Sequence, residues 1–295
     1  MALTKFGKYL LLIGVVILLA VATKGVLYLR ALRHQPAPAP VTLKAEETLK
    51  IIEGWTSRDI ADYLQKSGIW TSTGFYEIAG YPLRDYRQTK NKDNAQPKDF
   101  SAQFSFLADK PTYFGLEGYL YPDTYRVYAS STVTEIIEKM LINFDAKLTP
   151  QMRADIKAQG RTIYEVITLA SLVEKEAPIN YQSAENKDAH IIAGIFLNRI
   201  AIGQALQSDA TLSYIYGDNK PAHSGDELDS TSPYNTYKYR GMPPGPICNP
   251  GIVAIEAAIY PAETNYNYFL TTPDGRVVYA RTYDEHLNNK YKYLK

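Results

Sequence analysis

From Thr162 to Ala177 the chain reads TIYEVITLASLVEKEA, a helix candidate that is apolar along its length and acidic in its last turn. Ile163, Val166, Ile167, Ala170, Val173 and Ala177 recur at helical spacing, a stripe that needs a core to cover it. An ionised carboxylate is costly in such surroundings. One that keeps its proton near neutral pH can serve as a general acid. Glu174 and Glu176 stand about 200° apart around a helix and cannot share a face. Glu174 falls near the stripe, which suits a buried, paired role. Glu176 flanks it beside Leu169 and Leu172, which suits the edge of a cleft. Ordinary helix-end charges would show the same spacing, so periodicity alone leaves the choice open.

The N-terminus carries a second strong signal. Tyr9 to Ala22 (YLLLIGVVILLAVA) is uncharged and apolar, and Gly25 to Leu29 extend it to the length that spans a bilayer. Lys24 lies near the end of the run, where a long side chain reaches the headgroups. The expectation is an uncleaved transmembrane anchor at 9–29 behind a short cytoplasmic segment, 1–8. A signal peptide cut after Ala22 is the competing reading, since Ala20-Val21-Ala22 has the small-x-small pattern. Either way the bulk of the chain is expected outside the cytoplasm. Residues 30–43, with HQPAPAP at 34–40, read as a stiff extended linker.

Composition mainly excludes. Lys plus Arg number 32 and Asp plus Glu 31, so no net charge argues for nucleic acid as a partner. The single cysteine, Cys248, rules out an internal disulfide and a cysteine-based metal cluster. His34, His190, His223 and His286 show no ligand spacing, and no metal or cofactor is expected. A Gly-x-Ser-x-Gly elbow and a phosphate-binding glycine loop are both missing. Twenty-five tyrosines suit carbohydrate contact, but they suit half-buried surfaces equally well.

The remainder reads as α+β. A small module at 44–110 opens with a strand near 47–52, followed by helices at 58–66 and 72–79. A larger mixed α/β domain, 111–295, has helices at 132–144, 150–158, 162–177 and 189–202. It ends in a hairpin, 266–271 and 276–280, turning on Thr272-Pro273-Asp274-Gly275. Two loop segments look purposeful. One is LEGYLYPDTY, 116–125. The other runs from Ser232 through PYNTY and GMPPGPICNPG to Gly251; its prolines restrict it, which suits either holding Tyr234, Asn235 and Tyr237 against a sugar or a rigid loop that only supports the core.

At these residues the chain resembles the endolytic murein transglycosylases, the YceG-like family. LEGYLYPDTY, ASLVEKEA, FLNR (196–199), LQSD (206–209), PYNTY and GMPPGPICNPG match its motifs in the same order. Ala210 stands where a proline is common and Met242 where a leucine is common. The resemblance implies a single-pass protein of a bacterial inner membrane, with a LysM-like subdomain at 44–110 and the catalytic domain on the outer side. It implies cleavage inside peptidoglycan glycan strands, between N-acetylmuramic acid and N-acetylglucosamine, leaving a 1,6-anhydro end. It also implies a role in ending glycan polymerisation beside peptidoglycan synthases and division or elongation proteins. The family's catalytic acid falls on Glu176. Candidates for lining the substrate cleft are Glu117, Asn198, Gln207, Asp209, Tyr234, Asn235 and Tyr237; Asn198 and Arg199 have a bracing role as the alternative. Two other functions stay open: a hydrolytic muramidase, with Asp209 or Glu117 as second carboxylate, and a non-catalytic glycan-binding scaffold.

Overall fold

The computed structural model describes residues 5–33, 46–88, 96–183, 185–220 and 222–294. The chain divides into two units, 1–44 and 45–295. In the first, α1 (Lys5–Arg33) is one continuous helix, and its side chains from Gly14 to Tyr28 are all exposed. Among the described residues no helix is long and apolar enough to cross a membrane. The side chains of residues 8–13, the front of the expected anchor, lie outside the described residues, as does most of the linker. The expected anchor is therefore met as a helix and not as a demonstrated span.

In the second unit, β1 (Glu46–Lys50) leads to α2 (Ser57–Lys66) and α3 (Ser72–Ala79). The chain then passes to β2 (Thr124–Tyr128), which pairs antiparallel with β1, Leu49 facing Tyr125. This two-stranded sheet crosses the boundary expected at residue 110. So does the core: Ile60, Leu64 and Phe75 belong to the same apolar cluster as Ile136, Phe144, Val166 and Ile255. Next come α4 (Val133–Lys147), α5 (Pro150–Ala158), α6 (Ile163–Glu176), α7 (Lys187–Ala201), α8 (Asp209–Tyr216) and α9 (Ile252–Ile259). A hairpin, β3 (Tyr268–Thr271) and β4 (Val277–Ala280), turns on Thr272 to Gly275 and carries α10 (Tyr283–Tyr293).

Local sequence sets the helix starts. Thr56, Thr132 and Thr162 each accept from the backbone N–H three residues on, while Asp59, Glu135 and Glu165 accept from the threonine N–H in return. Thr149 caps α5 ahead of Pro150, whose missing N–H would have had no helical partner. Tertiary packing decides the rest. Residues 166–173 of α6 are all buried, and α9, α7, α8 and α5 pack around the helix. The apolar stripe is thus wider than periodicity indicated, taking in Thr168 and Ser171. Thr168 Oγ1 donates to Tyr164 O at 2.7 Å and Ser171 Oγ to Thr168 O at 2.8 Å, which satisfies both hydroxyls inside the core.

One buried amide locks distant segments together. Asn249 is 0 % exposed. Its Oδ1 accepts from the N–H groups of Gly118 at 3.0 Å and Leu120 at 2.9 Å. Its Nδ2 donates to Trp55 O at 3.0 Å and to Glu117 at 3.1 Å. The close approach at Gly118 needs glycine: φ is +91°, and a Cβ would meet Pro246 at 2.6 Å. Asn249→Ala leaves two buried N–H groups unpaired and should lower the unfolding free energy by about 3 kcal/mol. Denaturant unfolding monitored by circular dichroism checks this, and a loss within error of zero would contradict it.

Candidate active site

The end of α6 is where the interior meets a cleft. Glu176 is its final residue, and its Oε1 accepts from Ser208 Oγ, the residue that precedes α8. The backbone N–H of Ala210 also donates to this carboxyl group. Glu176 therefore sits on the N-terminal end of α8, where the first N–H groups lack helical partners and the helix dipole favours negative charge. Burial opposes this and is the larger effect. It pushes the Glu176 pKa above the ordinary carboxylate value, and the charge of Asp209 pushes the same way. Ser208, Ala210 and Arg199 pull it partly back. The start of α8 meets the carboxyl group with Ser208 and Ala210.

Neighbouring side chains are themselves held in place. Arg199 is buried on α7, with Nε donating to Asn267 O at 2.6 Å and Nη1 to Leu206 O. Asp209 accepts from the His223 backbone N–H at 3.2 Å and from the Tyr237 hydroxyl. Burial and that carboxylate raise the Tyr237 phenol well above its usual range. Gln207 adopts φ +49°, a left-handed conformation that costs a non-glycine residue about 1–2 kcal/mol. Its N–H is tied to Thr236 O at 3.1 Å, which joins LQSD to the PYNTY loop.

Glu176 and Asp209 line two adjoining clefts. A cleft of about 620 Å³ extends past Arg199, Gln207 and Tyr237 to Tyr268 and α10. Another of about 270 Å³ leads past Lys175, Asn219 and Lys220. A carboxyl group at the junction can reach the middle of an extended ligand.

Of the residues expected at the cleft, Glu176, Gln207, Asp209 and Tyr237 come together. The other four do not, and their side chains serve the scaffold. Asn198 Nδ2 donates to Thr264 O and Tyr266 O at 2.8 and 3.0 Å. Asn235 is buried and donates to Leu228 O and Ser230 O at 2.8 and 2.9 Å. Tyr234 packs on Tyr214 with ring centroids 5.2 Å apart, in a separate small pocket beside Glu117. Glu117 accepts from Ser57 N–H at 3.0 Å and Tyr214 hydroxyl at 3.2 Å, bracing the start of α2. Glu174 takes the paired role its helical position offered, accepting from Tyr181 hydroxyl and from Gly251 N–H at 3.0 Å.

Sequence reasoning passed over Ser208, the direct partner of Glu176, although it stands inside LQSD. It found no ligand spacing at His223 and passed over Asp218 and Glu227, yet potential ligand atoms of the three lie within 4.8 Å of one another. Lys220 pairs with both carboxylates there, so its ammonium occupies the place of a cation. Cys248 is buried with its thiol pushed far up, an inert environment.

Two titrations test these electrostatics. Asp209→Asn removes a charge that raises the Glu176 pKa and should lower it; Ser208→Ala removes a donor to the carboxylate and should raise it. Carboxyl-carbon NMR of labelled protein reads both shifts, and equal values in the two variants would refute the arrangement. Burial also raises the Glu117 pKa from 4.5 to about 7. Between those values the native state holds a proton that the unfolded chain has released. Stability from this group is complete below pH 4.5 and lost as pH rises through about 7, by about 3 kcal/mol. Glu117→Gln should flatten that part of a stability–pH curve measured by urea unfolding.

Residues 27–292 match the YceG-like family. The chain is 38% identical over 179 residues to a Bacillus subtilis protein named endolytic murein transglycosylase, covering 61% of this chain and 48% of the relative. A protein of the same name from Streptococcus pneumoniae is 36% identical over 189 residues, covering 62% of this chain and 33% of the relative. The chain thus spans a third to a half of the length of these relatives. A crystal structure of a yceG-like protein from Listeria monocytogenes superposes with a TM-score of 0.65 at 31% identity, covering 82% of this chain and 75% of that one. With the match extending over nearly the whole sequence, the chain belongs to the YceG-like family.

Proposed function

We propose that the protein is an endolytic peptidoglycan lytic transglycosylase, with Glu176 as its catalytic residue. The observation that carries this reading is the half-buried Glu176 carboxyl group, raised in pKa, at the junction of two clefts. The names of the related proteins support the same reaction.

The chemistry requires one group that gives a proton and takes one back. Protonated Glu176 donates to the glycosidic oxygen as the bond from C1 of N-acetylmuramic acid breaks, and the N-acetylglucosamine side leaves as an alcohol. Glu176, now a carboxylate, accepts the proton of the C6 hydroxyl as that oxygen attacks C1. The 1,6-anhydro ring closes, Glu176 is again protonated, and no water is consumed. An ordinary glycosidase needs a second carboxylate to supply or activate a nucleophile. Here the nucleophile is already part of the substrate, and intramolecularity replaces it. The surroundings of Glu176 suit both roles: burial favours the acid, while Ser208, Ala210 and Arg199 stabilise the carboxylate that follows.

Asp209 lies at the same junction, which keeps hydrolysis as the second reading. Its bonds to Tyr237 hydroxyl and His223 N–H favour a supporting role over activation of water. The proposal extends to the cellular setting: an anchor at 9–29, a LysM-like region at 44–110 that presents glycan, and action outside the membrane on nascent strands, ending polymerisation alongside synthases and division or elongation proteins.

Digestion of purified sacculi followed by mass spectrometry decides the chemistry, because anhydro ends are lighter by one water than hydrolytic ends. Wild type should give anhydro ends. Glu176→Gln should lose activity by about 10³-fold or more with its melting temperature within a few degrees of wild type. Reducing ends as the main product would establish the hydrolytic reading. Wild-type rates from Glu176→Gln would remove Glu176 from the reaction and favour a scaffold.

A further inference from the structure

The far end of the larger cleft is built by an element that nothing in the reaction above uses. α10 packs on β3 and β4, and none of its residues is buried. Tyr283, Leu287 and Leu294 are 58%, 43% and 45% exposed, a large apolar area for a helix at the chain end. With His286 and Lys290 they stand at i, i+4, i+11, i+3 and i+7, which is one face of a helix. That face lines the cleft that begins at Glu176.

An aromatic band connects the two ends. The Arg199 guanidinium lies 5.3 Å from the ring centre of Tyr268 on β3. Tyr268 stacks on His286 at 5.4 Å and 25°, and tilts against Tyr283 at 5.9 Å. His286 Nδ1 is buried and has no hydrogen-bond partner within the described residues. Burial, Lys290 and Arg199 all lower the imidazole pKa and disfavour its cationic form.

Such a wall has the chemistry of a pyranose site: ring faces for apolar C–H surfaces and a convergent polar atom for a hydroxyl or acetamido group. We infer that the Tyr283–His286–Leu287 face of α10 is a distal binding site for glycan, taking sugar rings remote from the bond that is cut. Tyr283 and Leu287 cover ring faces, and Lys290, exposed on the same cleft wall, engages a polar substituent. The occupant follows from continuity, since the same uninterrupted cleft contains Glu176. The inference rests on the glycan substrate proposed above. On this basis the hairpin and α10 measure the strand: chains long enough to reach α10 bind more tightly than those that occupy only the junction.

The test uses the full chain carrying Glu176→Gln, so that ligand is not consumed. Fluorescence anisotropy with end-labelled, uncross-linked glycan strands and with a labelled tetrasaccharide gives the two affinities. Adding Tyr283→Ala and Leu287→Ala, both exposed, should weaken long-strand binding by about tenfold or more while tetrasaccharide affinity stays the same. His286→Ala alone should give a smaller loss of the same kind. Equal long-strand affinity in all variants overturns the proposal, as does an equal loss for both ligands. If the face instead joins two copies of the chain, the substitutions will change sedimentation behaviour and leave long-strand affinity intact, which also overturns it. Anhydro-end formation by the parent enzyme is measured separately, so failure of the reaction scheme and failure of the distal site give different results.

Discussion

Everything at the site depends on burying α6 along its length and then ending it in a carboxyl group. Eight successive interior residues fix the axis and rotation of the helix, because any roll would expose apolar surface or break the bond that the buried Ile247 N–H donates to Ser171 Oγ at 3.0 Å. Glu176 follows Lys175, which faces out, so its direction is inherited from the core and not from the loop beyond. The start of α8 then meets it with a hydroxyl and an N–H. Glu176 is thus held from both sides, as the proton transfer proposed for it requires.

The motifs divide by physical role. LQSD, with Tyr237 from PYNTY, supplies the groups around Glu176. LEGYLYPDTY and the end of GMPPGPICNPG supply the frame, through Glu117, Gly118 and Asn249. A sequence motif does not distinguish these, because a polar side chain in a loop has the same signature whether it faces a ligand or a buried N–H group. Asn235 illustrates this: it sits between residues that look suited to sugars, yet its amide closes its own loop.

Much of the architecture was legible from local signals. The capping threonines, Pro150 and the turn at Thr272 to Gly275 act within a few residues, and α2 to α7 and the hairpin begin and end close to where they indicated. What escaped was set by tertiary contact. Residues 209–216 form α8 although Asp209 and Ala210 announce it weakly, and α9 is so uniformly apolar that it lacks a readable period. β2 begins at the end of 116–125, a stretch that read as loop because the strand's partner is far away in sequence. At the site, helical rotation separated Glu174 from Glu176, but the choice of Glu176 came from motif resemblance. The grouping of Gln207, Asp209 and Tyr237 required the fold.

The lock between Trp55 and Asn249 spans 194 residues of sequence. A chain emerging N-terminus first can cap α2 at once, yet β1 waits for β2 and the turn at Trp55 waits for Asn249. The frame closes only when both ends of this lock are present, and a chain that has not yet made β3 and α10 cannot place Glu176 in its cleft. Under the function proposed above, that ordering confines cleavage to chains in which both ends of the lock have been made.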